Sequence, residues 1–218
     1  MKPLVIFGTG RLAEVALHHF THDSEYRVMG FTVDGDPPES RFHDRPLVPF
    51  AEVTRHFPPT EHAMFVAIGY REMNSRRAAK CRESRERGYP LAAYLSSESR
   101  RPDFPPLGAN TFILDRNTVQ PYVQLGEDVT IWSGNHIGHH TRIGDHVFIT
   151  SRVCIGGGAE IGASCFIGMG AIIRDGIRLG ERTLVGAGAL ILHDTAPGSV
   201  YSVRGTSARD LTSDQVRL

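Results

Sequence analysis

Four histidines fall within eleven residues in the run Gly134-Asn135-His136-Ile137-Gly138-His139-His140-Thr141-Arg142-Ile143-Gly144-Asp145-His146. An imidazole near its ordinary pKa is largely neutral at cellular pH yet able to accept a proton. That property suits a general base that takes a proton from an attacking nucleophile. His139 and His140 are the candidates for that work. As immediate neighbours they tend to discourage each other's protonation. Two other readings compete. The pair could be exposed and without a task, or His-x-x-His-His could supply zinc ligands. Adjacent side chains at a corner diverge, which makes a shared ion awkward. His136 and His146 are read as solvent-facing or interface side chains.

Glycines mark two further candidate sites. Gly156-Gly157-Gly158 removes every side chain from one stretch of backbone and leaves N–H groups open to a developing oxyanion or an extended ligand arm. Near the N-terminus, Gly8-x-Gly10-x-x-Ala13 follows the apolar run Leu4–Phe7 and precedes a helical pattern. Such a turn brings backbone N–H groups and a helix N-terminus towards a phosphate. Asp34, at the end of the next strand candidate, could accept a hydrogen bond from a ribose or base. Fewer than a hundred residues supply only half of a two-lobed dinucleotide fold, so a mononucleotide or nucleotide-sugar diphosphate fits the size better.

The elements that must position these residues divide the chain in two. Six of the 23 glycines lie before residue 100 and seventeen after it. The proline-, serine- and charge-rich stretch 96–106 reads as a linker. In 1–95, strand candidates at Leu4–Phe7, Tyr26–Val33, Met64–Ile68 and Leu91–Leu95 alternate with helical patterns, including Glu72–Arg87. This predicts a small Rossmann-like parallel sheet flanked by helices. In 107–196 the periodicity changes. Stepping by six from Leu107 through Ile113, Val119, Leu125, Ile131 and on to Ile191 meets fifteen aliphatic residues without a break. Four places after each, the residue is mostly small or β-branched. A period of six suits neither a helix nor a hairpin; it predicts a solenoid of short strands and corners, three sides and about eighteen residues to a coil. His139, Gly157 and Asp175 then stack in one corner column, and Ser151, Met169 and Ala187 in another. Residues 197–218 form a tail.

Composition narrows the partners. Twenty-four Lys+Arg balance twenty-four Asp+Glu, which leaves no basic face for nucleic acid. Three cysteines without metal-ligand spacing suit a reducing compartment, and no apolar run is long enough to span a membrane. A cytoplasmic protein is expected.

The repeat resembles the hexapeptide-repeat transferases, whose coils wind as a left-handed parallel β-helix. With the small N-terminal α/β unit, the chain resembles the bacterial sugar acyltransferases of the sialic-acid O-acetyltransferase type, including enzymes that N-acetylate nucleotide-linked amino sugars. The resemblance implies a homotrimer that uses acetyl-CoA, with no metal and with His139 as the base. The acidic residue common after that base is replaced here by His140, which leaves its part to Asp145 or to a carboxylate from a neighbouring subunit. It also places acyl-CoA between neighbouring prisms near Gly157, Met169 and Ala187, with Phe148 where some relatives carry a second histidine. The nucleotide-linked sugar is placed near Gly10, Arg11, Asp34, Gly69 and Tyr70. Amine and hydroxyl acceptors both stay open. The left-handed helix is also the scaffold of the γ-type carbonic anhydrases, but their arginine–aspartate and Gln-Asp arrangements are not found around His136–His140. A non-catalytic nucleotide-binding trimer is the remaining alternative.

Overall fold

The computed structural model describes residues 1–208 and residue 210; the rest of the expected tail lies outside the described residues. The N-terminal lobe runs Lys2–Phe7 (β1), Arg11–His22 (α1), Tyr26–Val33 (β2), Arg41–Phe42 (β3), Arg45–Pro49 (β4), Val53–His56 (α2), Ala63–Val66 (β5) and Ser75–Glu86 (α3). Its sheet has the order β3-β4-β2-β1-β5 and is parallel except for the β3–β4 edge. β1 reads as an unbroken apolar run because it is central and covered on both faces. The α1 side chains of Ala13, Ala16 and Phe20 pack with Leu4, Ile6 and Phe65. The sequence reading did not anticipate β3 and β4. Of the expected fourth strand, Leu91 makes a single bridge to Met64, while Tyr94–Leu95 (β6) leaves the sheet altogether.

β6 joins the solenoid instead, because Tyr94 and Leu95 stand one coil, eighteen residues, before Phe112 and Ile113, with which they pair. From there the chain winds as a left-handed parallel β-helix of triangular section. Face one stacks Tyr94–Leu95, Phe112–Ile113, Thr130–Ile131, Phe148–Ile149, Phe166–Ile167, Leu184–Val185 and Val200–Tyr201. Face two stacks Thr118–Val119, His136–Ile137, Cys154–Ile155, Ile172–Ile173 and Leu190–Ile191; face three stacks Gln124–Leu125, Arg142–Ile143, Glu160–Ile161 and Arg178–Leu179. Ladder pairs are in register, Thr130 with Phe148 and His136 with Cys154. The hexad aliphatics from Ile113 to Ile191 fill the core together with Val147, Val153, Ala159, Cys165 and Ala171. Three residues after each aliphatic the backbone turns left-handed, with φ between 55° and 74° at every sixth residue from Asn110 to Gly188. That conformation is unfavourable for most L-residues; here it is fixed by coil closure and occurs at Arg116, Tyr122 and His140 as well as at glycine.

Residues 96–106 lie between paired strands, and part of the stretch stacks on the prism. The Ser96 N–H donates to Ile113 O, and Ser99 Oγ donates to Leu114 O while accepting from Asn117 N–H. At the other end Val200–Tyr201 still pairs on Leu184–Val185, so strand stacking continues into 197–201. No helix among the described residues is long and apolar enough to cross a membrane.

The lobe sits on face one. Phe112, Leu114 and Trp132 share an apolar cluster with Leu4, Phe20 and Phe65, and the Tyr70 ring lies 4.6 Å from Phe166 and 5.1 Å from Phe148. A buried polar clasp completes the contact. Arg77 Nε of α3 donates to Asp128 Oδ1 at 2.8 Å, and its Nη2 donates to the carbonyls of Asp128 and His146. Asp128 also accepts from Asn110 Nδ2, and its Oδ2 lies 2.9 Å from His146 Nδ1. Nearly every polar atom of the clasp has a partner, as burial of such groups requires. His146 is thus held at the contact between the lobes, one of the two placements the sequence reading left open.

Candidate functional site

Each coil turns three corners, and the structure distributes the candidate residues among them. Gly138, His139, His140 and Thr141 form the corner between faces two and three, the one corner that does not border face one. Every atom of the lobe that packs on face one is therefore on the far side of the prism from His139. Three hydrogen bonds hold the backbone there. The His139 N–H donates to Gln120 Oε1 at 2.9 Å, Gly158 N–H donates to His139 O at 2.7 Å, and His140 N–H donates to Pro121 O.

Both histidine side chains are exposed. Their Nδ1 atoms lie 3.1 Å apart, with the rings nearly perpendicular. His140 is further held against the Tyr122 ring of the preceding coil, 4.7 Å between centroids. The His139 ring occupies the space above Gly157. A Cβ at residue 157 would stand 2.7 Å from His139 Cε1 and 2.8 Å from Nε2. Gly157 is thus the floor of the imidazole, and its N–H has no hydrogen-bond partner among the described residues.

Met169 and Ala187 lie on the corner between faces two and one, so face two separates them from Gly157. The side chains turned outward on and beside that face are unusually apolar: Ile172, Leu190, Leu192 and Met169 are all at least 42% exposed. Phe148 does not share this location. It is buried on face one beneath Tyr70 and Arg77.

A second site lies at the carboxyl ends of β1, β2 and β5, where ligands of open parallel sheets commonly bind. Asp34, Gly69 and Tyr70 line a cavity of about 630 Å³ together with Ile68, Arg71, Arg76, Lys80 and Glu83. Lys80 is held almost out of solvent over the rings of Phe7 and Phe50, and its Nζ donates to Asp34 Oδ1 at 2.7 Å and to Glu83 Oε2 at 2.6 Å. One oxygen of Asp34 is thereby fixed, and the carboxylate faces the cavity. Gly10 caps α1 and Arg11 opens it, both exposed, but neither belongs to this cavity lining. Gly8 is the constrained glycine of that turn, with φ +114° and its missing Cβ 3.1 Å from Ala67 O.

Sequence reasoning missed Lys80, Arg71 and Arg76, which come from a turn and a polar helix without local signature. It also missed Gln120 and Tyr122, although Tyr122 lies eighteen residues before His140 and the period itself points to it. Among the described residues no group of three or more His, Cys, Asp or Glu side chains is placed to hold a metal ion.

Residues 122–157 and 158–193 match the bacterial transferase hexapeptide (six repeats) family. No curated protein is matched by sequence. Among solved structures, a His-to-Asn variant of perosamine N-acetyltransferase from Caulobacter crescentus, in complex with CoA and GDP-perosamine, aligns with TM-score 0.80 at 22% identity, covering 92% of this chain and 93% of that one. The acetyltransferase domain of PglB from Neisseria gonorrhoeae in complex with acetyl coenzyme A aligns at 0.78 and 20% identity over 91% and 95%. WeeI from Acinetobacter baumannii aligns at 0.78 and 18% over 92% and 96%. Residues 122–193 are therefore bacterial transferase hexapeptide repeats, and the chain as a whole has the two-lobed fold of these structures.

Proposed function

We propose that the protein transfers an acetyl group from acetyl-CoA to an amino or hydroxyl group of a nucleotide-linked sugar, with His139 as the general base. The observation that carries this reading is the exposed His139 ring seated over the side-chain-free Gly157 corner. Support comes also from structures of the same fold that hold CoA with GDP-perosamine, or acetyl coenzyme A. The lobe cavity around Asp34, Gly69 and Tyr70, where Arg71 adds a cation to the ion-paired Lys80 and Arg76, suits a nucleoside diphosphate. Because that lobe packs on face one, opposite the His139 corner, a sugar held there would reach the His139 of a neighbouring copy. A homotrimer, with each site shared by two chains, follows as part of the proposal.

A thioester would supply an acyl carbon open to attack and a sulfur able to leave. Gly157, Met169 and Ala187 are the residues of this chain placed to flank it, along the apolar strip of face two. His139 Nε2 takes the proton that the acceptor nitrogen or oxygen loses as its lone pair bonds to the acyl carbon. The unpartnered Gly157 N–H lies beside the same ring, available to the carbonyl oxygen as it gains negative charge. The imidazolium then returns its proton to the sulfur as the carbon–sulfur bond breaks. Every proton is accounted for without a metal or a further co-reactant.

His139→Ala should lower turnover by about 100-fold or more, read as CoA thiol release with nucleotide-linked amino sugars, while leaving the assembly and melting temperature unchanged. Near-normal turnover in that variant removes the mechanism.

A further inference from the structure

We propose that His140 is the positioning residue of the base, holding His139 in the one tautomer that leaves its Nε2 lone pair free. This rests on the reading of His139 as base and goes beyond it by assigning the neighbour a task.

The two Nδ1 atoms are 3.1 Å apart. At that distance one nitrogen donates and the other accepts, because two lone pairs or two N–H groups would repel. A base working through Nε2 must carry its proton on Nδ1, so His139 donates and His140 accepts through a bare Nδ1. His140 then holds its own proton on Nε2, at the exposed end of the ring. The tautomer of a histidine is set by the bond that its other nitrogen makes, and carboxylates or carbonyls usually make it. Here the acceptor is a second imidazole, fixed in three ways. Its backbone is left-handed, φ 59°, as coil closure demands. Its N–H donates to Pro121 O, and its ring lies on Tyr122. The donor is equally fixed, between Gln120 on its backbone N–H and Gly157 beneath its ring.

The exposed position of both rings gives the arrangement its purpose. A lone imidazole in water favours the Nε2–H form, which has no lone pair at Nε2. Without an acceptor at Nδ1, His139 would spend most of its time in the form that cannot accept a proton there. His140 reverses that preference without placing a negative charge beside the site.

The test uses protein labelled with ¹⁵N in the histidine rings, at about pH 8 where free imidazole is neutral. His139 and His140 signals are assigned from single variants. We expect wild-type His139 as Nδ1–H and His140 as Nε2–H. Two substitutions compatible with a left-handed backbone separate structure from positioning. His140→Gly removes the acceptor; it should return His139 to Nε2–H and lower kcat about 10- to 100-fold, with KM for both substrates changed less than about twofold. His140→Asn retains a shorter acceptor and should recover part of that kcat. A wild-type His139 in the Nε2–H form, or one whose tautomer is unmoved in His140→Gly, overturns the proposal. So does an unchanged kcat in His140→Gly when His139→Ala is inactive. If His139→Ala itself remains active, the base reading fails, whereas the tautomer measurement still decides the pairing of the two rings.

Discussion

Gly157→Ala is the substitution that most directly probes where the His139 ring lies. The added Cβ would stand 2.7, 2.8 and 3.0 Å from Cε1, Nε2 and Nδ1 of that ring. Nonbonded carbons rest about 3.5–4.0 Å apart, so the ring must retreat by about 1 Å. A displacement of that size in a reacting group costs about 100-fold in rate. The backbone should tolerate alanine, since φ at Gly157 is not in the left-handed region, and the lost flexibility of the unfolded chain favours alanine by about 0.4–1 kcal/mol. Gly158→Ala is the converse control. Its Cβ meets nothing within 4 Å, but φ is +68°, so it should cost about 1 kcal/mol in stability and leave turnover nearly intact. The pair is read by thiol-release kinetics and urea unfolding. If Gly157→Ala turns over normally, the imidazole does not occupy the space above that corner and the site as described is wrong. A collapse of stability in Gly157→Ala would equally refute the separation of space from backbone strain.

Two further predictions concern the remainder of the molecule. Arg77→Met leaves Asp128 buried without its cation, held by hydrogen bonds with Asn110, His146 and the Cys81 thiol. Stability should fall by about 3–5 kcal/mol in urea unfolding, and a loss below about 1 kcal/mol would show that the clasp does not hold the lobe to the prism. The second prediction concerns pH. Burial, with His18 beside it, holds the His19 imidazole below its ordinary value of 6.5. The unfolded chain therefore takes up this proton before the folded one does. His19 contributes stability above about pH 6.5 that is lost as pH falls through its lower folded value. His19→Gln should flatten unfolding midpoints between about pH 7 and pH 5, and an unaltered slope would assign the acid sensitivity elsewhere.

The lobe and the prism differ in how openly their residues declare them. In the prism one hexad carries everything: an aliphatic that points in, a small partner, and two corner residues. Contacts are therefore between residues eighteen apart, and periodicity alone predicts that His139 lies over Gly157. The same arithmetic extends back to Tyr94 and Leu95, but a chain stretch rich in proline and charge hides it, since Ser96 and Ser99 stack through hydrogen bonds rather than apolar side chains. In the lobe, β1 and β2 were legible as apolar runs ending at Gly8 and Asp34. The short strands β3 and β4 at one end of the sheet were not, because half-exposed strands of two to five residues have little pattern to show.

What the amino-acid sequence determined by itself was the local and periodic part: a triangular coil of six-residue sides, a glycine-floored corner, and an imidazole pair on it. A repeat makes long-range contacts predictable because each is a translation of the last. What only the tertiary structure decided was how the two lobes meet. Arg77 reaches Asp128 across 51 residues, and Tyr70 lands on Phe148 and Phe166. No period relates those partners. Their meeting depends on which face of the prism the lobe covers, and that choice places the nucleotide-sized cavity and His139 on opposite sides of one chain.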